Sequence, residues 1–339
     1  MKLVKRITKV GAVCLAGMIS WSALAADKVT VYSYRQPFLI EPILEDFTRQ
    51  SGIEVQLVFA KDGLAERVAR EGRLSPADIV LTSDFSRLME MVDKGLVSPA
   101  VSDTLAQNIP AQFRSADNDW YALTMRVRNV YSAKARLGKL ALDLEDLAKP
   151  EFKGKICTRS GKHPYNIAMV ASMIAHHGEA DTKVWLEGVK GNLARRPQGN
   201  DRSQVKAVKE GLCDIAIGNS YYLGKMLADP EQRAWAEAVE INFTNQDDRG
   251  AHINISGMAM TKHAPNKAAA LKLMEYLSSD RAQASYAELN FEYPVKVDVP
   301  VSELVASWGA FKADPLAIQA LADNHRAAVK LLDEVKFDL

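Results

Sequence analysis

Residues 28–60 read KVTVYSYRQPFLIEPILEDFTRQSGIEVQLVFA, and they hold three elements in a row. KVTVYSY predicts a strand over Lys28–Tyr34. Pro37 opens a helix that runs to Gln50, with an apolar stripe of Ile40, Ile43, Leu44 and Phe47, closed by Ser51-Gly52. Glu54–Ala60 is the next strand. Outward from there, Leu64–Glu71 is a short helix ending at Gly72. Asp78–Thr82 is a third strand, and Phe85–Lys94 a helix ending at Gly95. A β-α-β-α-β-α opening indicates a mainly parallel sheet.

From Trp120 to Ser132 (WYALTMRVRNVYS) the pattern changes to one long alternating strand. A second α/β unit follows, with a strand at Lys155–Thr158, helices at Ile167–His177 and Ser203–Glu210, and a strand at Asp214–Gly218. Ala238–Phe243 and Ile253–Met260 are strands leading back. Pro265–Leu277 is helical, and Pro315–Val335 forms one or two helices. The predicted class is α/β, with two lobes, each a mainly parallel sheet flanked by helices. The lobes hinge on crossing strands near Leu123–Arg128 and Phe243–Asn254. The N-lobe takes residues 26–123 and 248–300, and the C-lobe takes 124–247 and 301–339. Two independently folded domains are the other organisation these elements allow.

The first residues stand apart. Lys2, Lys5, Arg6 and Lys9 precede an apolar stretch, Val10–Trp21, too short to span a bilayer comfortably. Ala23-Leu24-Ala25 supplies a small-x-small cleavage pattern. Residues 1–25 are therefore expected to be a cleaved signal peptide that exports the chain to the periplasm. Its four basic residues leave with it, so a net charge of +1 becomes −3. A mildly acidic chain does not suit nucleic acid, whose binding rests on a basic face. After cleavage Cys157 and Cys213 remain, an even number in an oxidising compartment. They form either a disulfide or two buried thiols. Far apart and without CxxC spacing, they make a poor zinc site.

Three segments share the order strand, short polar loop, helix start: YSYRQPFLI (32–40), CTRSGKHPYNIAM (157–169) and IAIGNSYYLGKM (215–226). In open α/β sheets, ligands bind beyond the carboxyl ends of strands, where helix N-termini offer free N–H groups. Arg35, Gln36, His163, Tyr165, Tyr221 and Tyr222 are thereby expected to face one cleft. A phenolate is a hard anionic donor and selects hard cations. Arginine forks at Arg35, Arg126 and Arg128 match planar oxyanions. The plainer readings are surface packing for the tyrosines, a loop position for His163, and salt bridges for Arg126 and Arg128. By the same plain reading, Asn200 and Asp201 are helix caps, and His176-His177 sits at a helix end before Gly178.

At these residues the chain resembles the periplasmic ferric-ion-binding proteins of bacterial iron(III) ABC importers. The likeness runs from about Val29 to Val295. It is carried by YSYRQPFLIEPILEDFTRQSGIEV, SPADIVLTSDFSRL, SGKHPYN, RRPQGNDRSQVKAVKEGLCD, GNSYYLGKML and NQDDRGAHINISGMAMTKHAPN, in that order and spacing. The resemblance implies a transferrin-like two-lobe fold that closes on Fe3+. It makes Tyr221 and Tyr222 the paired tyrosine ligands and Tyr165 the third. Where many members carry histidine and tyrosine after the first-loop arginine, this chain has Gln36 and Pro37. It therefore resembles the subgroup that completes a three-tyrosine site with a carbonate-type anion, here held by Arg35, Gln36 and Arg126. Tyr34 stays outside the metal shell. The implied partner is an inner-membrane ABC permease with its ATPase, served by a monomer without enzymatic activity. The alternatives are an oxyanion- or polyamine-binding protein on the same fold, or a secreted hydrolase. The chain shows no GxSxG elbow, HExxH or paired carboxylates for the last.

Overall fold

Strand β1 (Lys28–Ser33) has every side chain after Lys28 buried, as expected of a strand covered on both faces. The computed structural model describes residues 27–339, so the predicted signal peptide at 1–25 lies outside the described residues. Helix α1 (Pro37–Ser51) follows, then β2 (Glu54–Phe59), α2 (Leu64–Glu71), β3 (Ile79–Thr82) and α3 (Phe85–Asp93). The opening six elements therefore match the predicted ones within a residue or two. Pro37 starts α1 at a position where its missing N–H costs nothing, and Gly52 ends it in the left-handed conformation.

Next come β4 (Val97–Ser98), α4 (Asp103–Asn108), β5 (Tyr121–Ala133), β6 (Ile156–Cys157), α5 (Pro164–Gly191), α6 (Asp201–Lys209), β7 (Ile215–Asn219) and α7 (Tyr221–Ala228). The chain then runs through α8 (Arg233–Ala236), β8 (Val239–Asn242), β9 (Ile253–Thr261), α9 (Lys267–Leu277), α10 (Asp280–Asn290) and β10 (Tyr293–Pro294). It ends with α11 (Glu303–Ala306), α12 (Ile318–Asp323) and α13 (His325–Glu334). No helix among the described residues is long and apolar enough to cross a membrane.

Strand β5 organises the molecule by changing partners along its length. Tyr121–Val127 pairs antiparallel with β9, and Thr124 and Met125 also pair with β10. Arg128–Ser132 pairs with β7 and Val130–Ala133 with β8. One strand thus joins a sheet ordered β2-β1-β3-β9-β5 to one ordered β5-β7-β6. This is the two-lobe α/β architecture expected. The sheets are mixed rather than mainly parallel, with parallel pairing confined to β2-β1-β3 and β6-β7. The reason is that β5, β8 and β9 carry the chain between the lobes and back, and returning strands pair antiparallel.

Two main apolar clusters pack the fold, and the larger runs across both sheets. In the first, Ile40, Ile43, Leu44 and Phe47 of α1 lie in one core with Val29, Val31, Ile79 and Leu81. In the second, Ile167, Val170 and Ile174 of α5 meet Ile215 and Ile217 of β7 and Leu331 and Leu332 of α13. The helix breaks at Gly178, its expected end, before a second helical run. Gly178 has φ 78° and ψ 170°, and the helix resumes. It does so because Trp185, Leu186 and Val189 bury in the same core. His176 and His177 meet carboxylates rather than an exposed helix end. His176 Nε2 lies 2.7 Å from Asp314 and His177 Nε2 2.6 Å from Glu145.

The lobes also touch across the cleft. Phe291, at φ 57°, ends α10 and places its ring on Gly224 of α7. Lys225 Nζ donates to the Leu289 carbonyl at 2.6 Å. A β-carbon at position 224 would collide with Phe291 Cγ. Gly224→Ala is therefore expected to push the lobes apart, read as a larger radius of gyration by small-angle X-ray scattering. An unchanged radius would contradict this reading of the contact.

Cys157 and Cys213 are joined by a disulfide with Cα atoms 5.9 Å apart, closing a sequence separation of 56 residues. Chain-entropy reasoning for a loop of that size gives a stabilisation of about 4 kcal/mol. The Cys157→Ser/Cys213→Ser variant should lose roughly that much in a urea titration.

Candidate metal and anion site

The loop after β1 is shaped by Ser33. Its hydroxyl accepts from the Arg35 N–H at 3.0 Å and donates to the Arg35 carbonyl at 2.9 Å. Tyr34 turns away. Its hydroxyl accepts from the N–H groups of Leu64 and Ala65 at 3.0 and 3.1 Å, standing in for a cap at the start of α2, where Gly63 has no side chain to offer. Arg35 is buried, and its Nη2 donates to Glu292 Oε2 at 2.8 Å. Arg126 Nη1 reaches Glu292 Oε1 at 3.4 Å, and its Nη2 donates to the Ile255 carbonyl at 3.1 Å. The Thr124 hydroxyl adds a bond to Glu292 Oε2 at 2.7 Å. Burial alone would raise the Glu292 pKa. Arg35 and Arg126 outweigh it and hold the carboxyl below its ordinary value.

Arg128, two residues further along β5, makes a matching cluster in the second sheet. Its Nη1 donates to Asp201 at 2.7 Å and to Asn219 at 3.1 Å, and its Nη2 to Asn166 at 2.6 Å. Arg159 Nη1 donates to the other Asp201 oxygen at 3.2 Å. Asp201 is therefore a fully buried counter-ion and not the cap expected of it; the cap of α6 is Asn200. Arg126 and Arg128 are salt-bridge partners, as the plainer reading had it, but buried ones that straddle the strand's change of sheet.

The phenols meet between these clusters. Tyr165 stands in the first turn of α5, after Pro164, with its N–H bonded to His163 Nδ1 at 3.2 Å. Tyr221 and Tyr222 open α7, directly after β7, and Ser220 N–H ties that junction to the Val127 carbonyl at 2.9 Å. The Tyr165 and Tyr221 oxygens lie 3.5 Å apart, and the Tyr221 and Tyr222 rings stack with centroids 4.1 Å apart. The guanidinium carbons of Arg126, Arg128 and Arg159 sit 5.8, 6.0 and 5.5 Å from the Tyr165 ring centre. Burial pushes the Tyr221 phenol well above its ordinary value, helped by Tyr165 and Tyr222, and burial with Tyr165 and Asp201 raises Tyr222. Both are neutral at pH 7. His163 is pushed down to about 3 by burial and by Arg159, so its ring is neutral.

The set can therefore bring three oxygen donors together beside guanidinium N–H groups that have no protein partner. These are Arg35 Nε and Nη1, Arg126 Nε, Arg128 Nε and Arg159 Nε. Among the described residues no group of three or more His, Cys, Asp or Glu could hold a metal. A metal at this point would fall to the phenols. Gln36 is exposed at the start of α1, and its side chain makes no cap hydrogen bond. A cavity of about 600 Å³ lined by Asp62, Arg87, Pro164 and His325, among others, opens beside the Tyr165 loop. Glu292 and Arg159 escaped sequence reasoning. Arg159 was visible as the residue following Cys157-Thr158 in a loop already singled out. Glu292 carried no local signal.

Comparison with known proteins agrees with this architecture. The family model described as bacterial extracellular solute-binding protein matches residues 29–289. Iron uptake protein A1 of Synechocystis is 40% identical over 91% of this chain and 87% of its own. The crystal structure of apo ferric ion-binding protein A from Pasteurella haemolytica is 56% identical, with a TM-score of 0.89, over 93% of this chain and 99% of that one. A Trichodesmium protein solved in complex with iron and citrate is 38% identical, with a TM-score of 0.87, over 91% and 99% of the two chains. The chain belongs to the family of bacterial extracellular solute-binding proteins, in the company of the ferric-ion-binding and iron-uptake proteins.

Proposed function

We propose that this protein captures ferric iron in the periplasm and delivers it to an inner-membrane ABC permease with its ATPase. The observation that carries the reading is the meeting of Tyr165, Tyr221 and Tyr222 at one point beside unpartnered guanidinium N–H groups. Three phenolates neutralise Fe3+ and fill about half of an octahedron. A carbonate-type anion in its singly charged bicarbonate form, held by Arg35 and Arg126 with Gln36 at the mouth, completes it. The relatives named for iron uptake and ferric binding support the same cargo.

The lobes, residues 26–123 with 248–300 and residues 124–247 with 301–339, rotate about β5 and the return segment to close on the ion. Closure is a population shift driven by contacts made from both sides. The chain acts as a monomer after the signal peptide is removed.

Ferric iron added with bicarbonate should give a visible phenolate-to-iron charge-transfer band. Tyr221→Phe/Tyr222→Phe should abolish it. A colourless protein that takes up no iron would refute the proposal, and binding of an oxyanion alone would favour the anion-carrier alternative.

Tyrosine is a neutral phenol at pH 7 and burial raises Tyr221 and Tyr222 further, so ligation by the three phenolates releases protons. Affinity is therefore lost as pH falls, by up to about a thousandfold per pH unit if all three protons leave together. Calorimetry in two buffers of different ionisation enthalpy should count about three protons released per iron. A count near zero would rule out phenolate ligation.

A further inference from the structure

We propose that Glu292 decides which anion completes the site, by holding the net charge of the Arg35–Arg126 pair at a single positive unit. The inference rests on the anion-completed reading above. Glu292 is 3% exposed and pairs with both guanidiniums. Neither arginine has another carboxylate partner among the described residues. Asp201 serves the other pair, Arg128 and Arg159. The ion-paired cluster thus holds two cations and one anion, and Lys225 is a further cation close enough to feel both Glu292 and Arg35.

The donors left over are Arg35 Nε and Nη1 and Arg126 Nε, all buried and without a partner. An anion reaching them comes close to the Glu292 carboxylate. A singly charged oxyanion such as bicarbonate balances the remaining charge. A dianion such as sulfate must place its second charge near a carboxylate that the pocket cannot move. In a poorly screened interior that repulsion is large.

Glu292 is held from both sides. Phe291 before it is locked in the left-handed conformation with its ring on Gly224, and Tyr293-Pro294 after it pair with Met125 and Thr124 of β5. It is a positioning residue and also sets the charge the anion meets. Sequence position does not suggest this role, since Arg35 is 257 residues away.

The test is the ratio of sulfate to bicarbonate affinity, measured by calorimetry on the iron-free protein and by titration of the charge-transfer band on the iron-loaded protein. Glu292→Gln keeps the shape and removes the charge, and should raise the ratio by at least about tenfold. Glu292→Asp should keep the wild-type ratio even where both affinities weaken. Arg126→Gln removes a positive charge with the carboxylate in place and should lower the ratio, whether or not the first variant folds. Equal weakening of both anions in Glu292→Gln, or a ratio that does not follow charge across the variants, would overturn the proposal. So would the absence of anion binding in both forms. A wild-type protein that binds anions but no iron would instead refute the ferric reading, and the iron-free ratio would still judge Glu292.

Discussion

Everything in this molecule depends on β5 leaving one sheet and entering another between Val127 and Arg128. A strand that pairs with β9 on one side of that point and β7 on the other must carry side chains of both lobes on one stretch of backbone. Side chains two residues apart on a strand share a face. Arg126 and Arg128 therefore sit on opposite sides of the join yet point into the same region. The same hand-over anchors the tyrosine pair, because Ser220 is hydrogen-bonded to Val127 through both its N–H and its hydroxyl.

Four guanidiniums lie close to this point, and such charges stay buried only if paired. Glu292 and Asp201 supply the pairing, one on each side of the join, with Thr124, Asn166 and Asn219 taking further hydrogen-bonding capacity. Removing one partner of a buried pair typically costs 3–5 kcal/mol, far more than an exposed pair is worth. The two clusters therefore fix the arginines rather than leave them mobile. What remains is a set of N–H groups with no protein acceptor and phenols kept protonated by burial. Each is incomplete alone, and the proposed ferric ion with its small oxyanion would answer both.

Much of this was legible in the sequence. The six opening elements follow from apolar periodicity and glycine stops. The three loops at strand ends pointed to Tyr165, Tyr221 and Tyr222, because a strand running into a helix places its junction at the sheet's edge. The misreadings have physical causes. Helix α10 carries a weak apolar stripe, Ala282, Tyr286 and Ala287, so it passed unnoticed, and Glu292 with it. Asp201 follows a true cap and looked like one, while its partner Arg128 is 73 residues distant. Gly178 does break the helix, but the second helical run beyond it, which buries Trp185 and Leu186, carried no comparable signal. Local chemistry was readable, and pairings across the chain were not.

The most direct measurement is the crystal structure of the protein loaded with ferric iron and bicarbonate. The account expects one iron bonded to the oxygens of Tyr165, Tyr221 and Tyr222, with a small anion between the metal and Arg35–Arg126. Iron bound elsewhere, or bound at this point without the three phenolates, would contradict it.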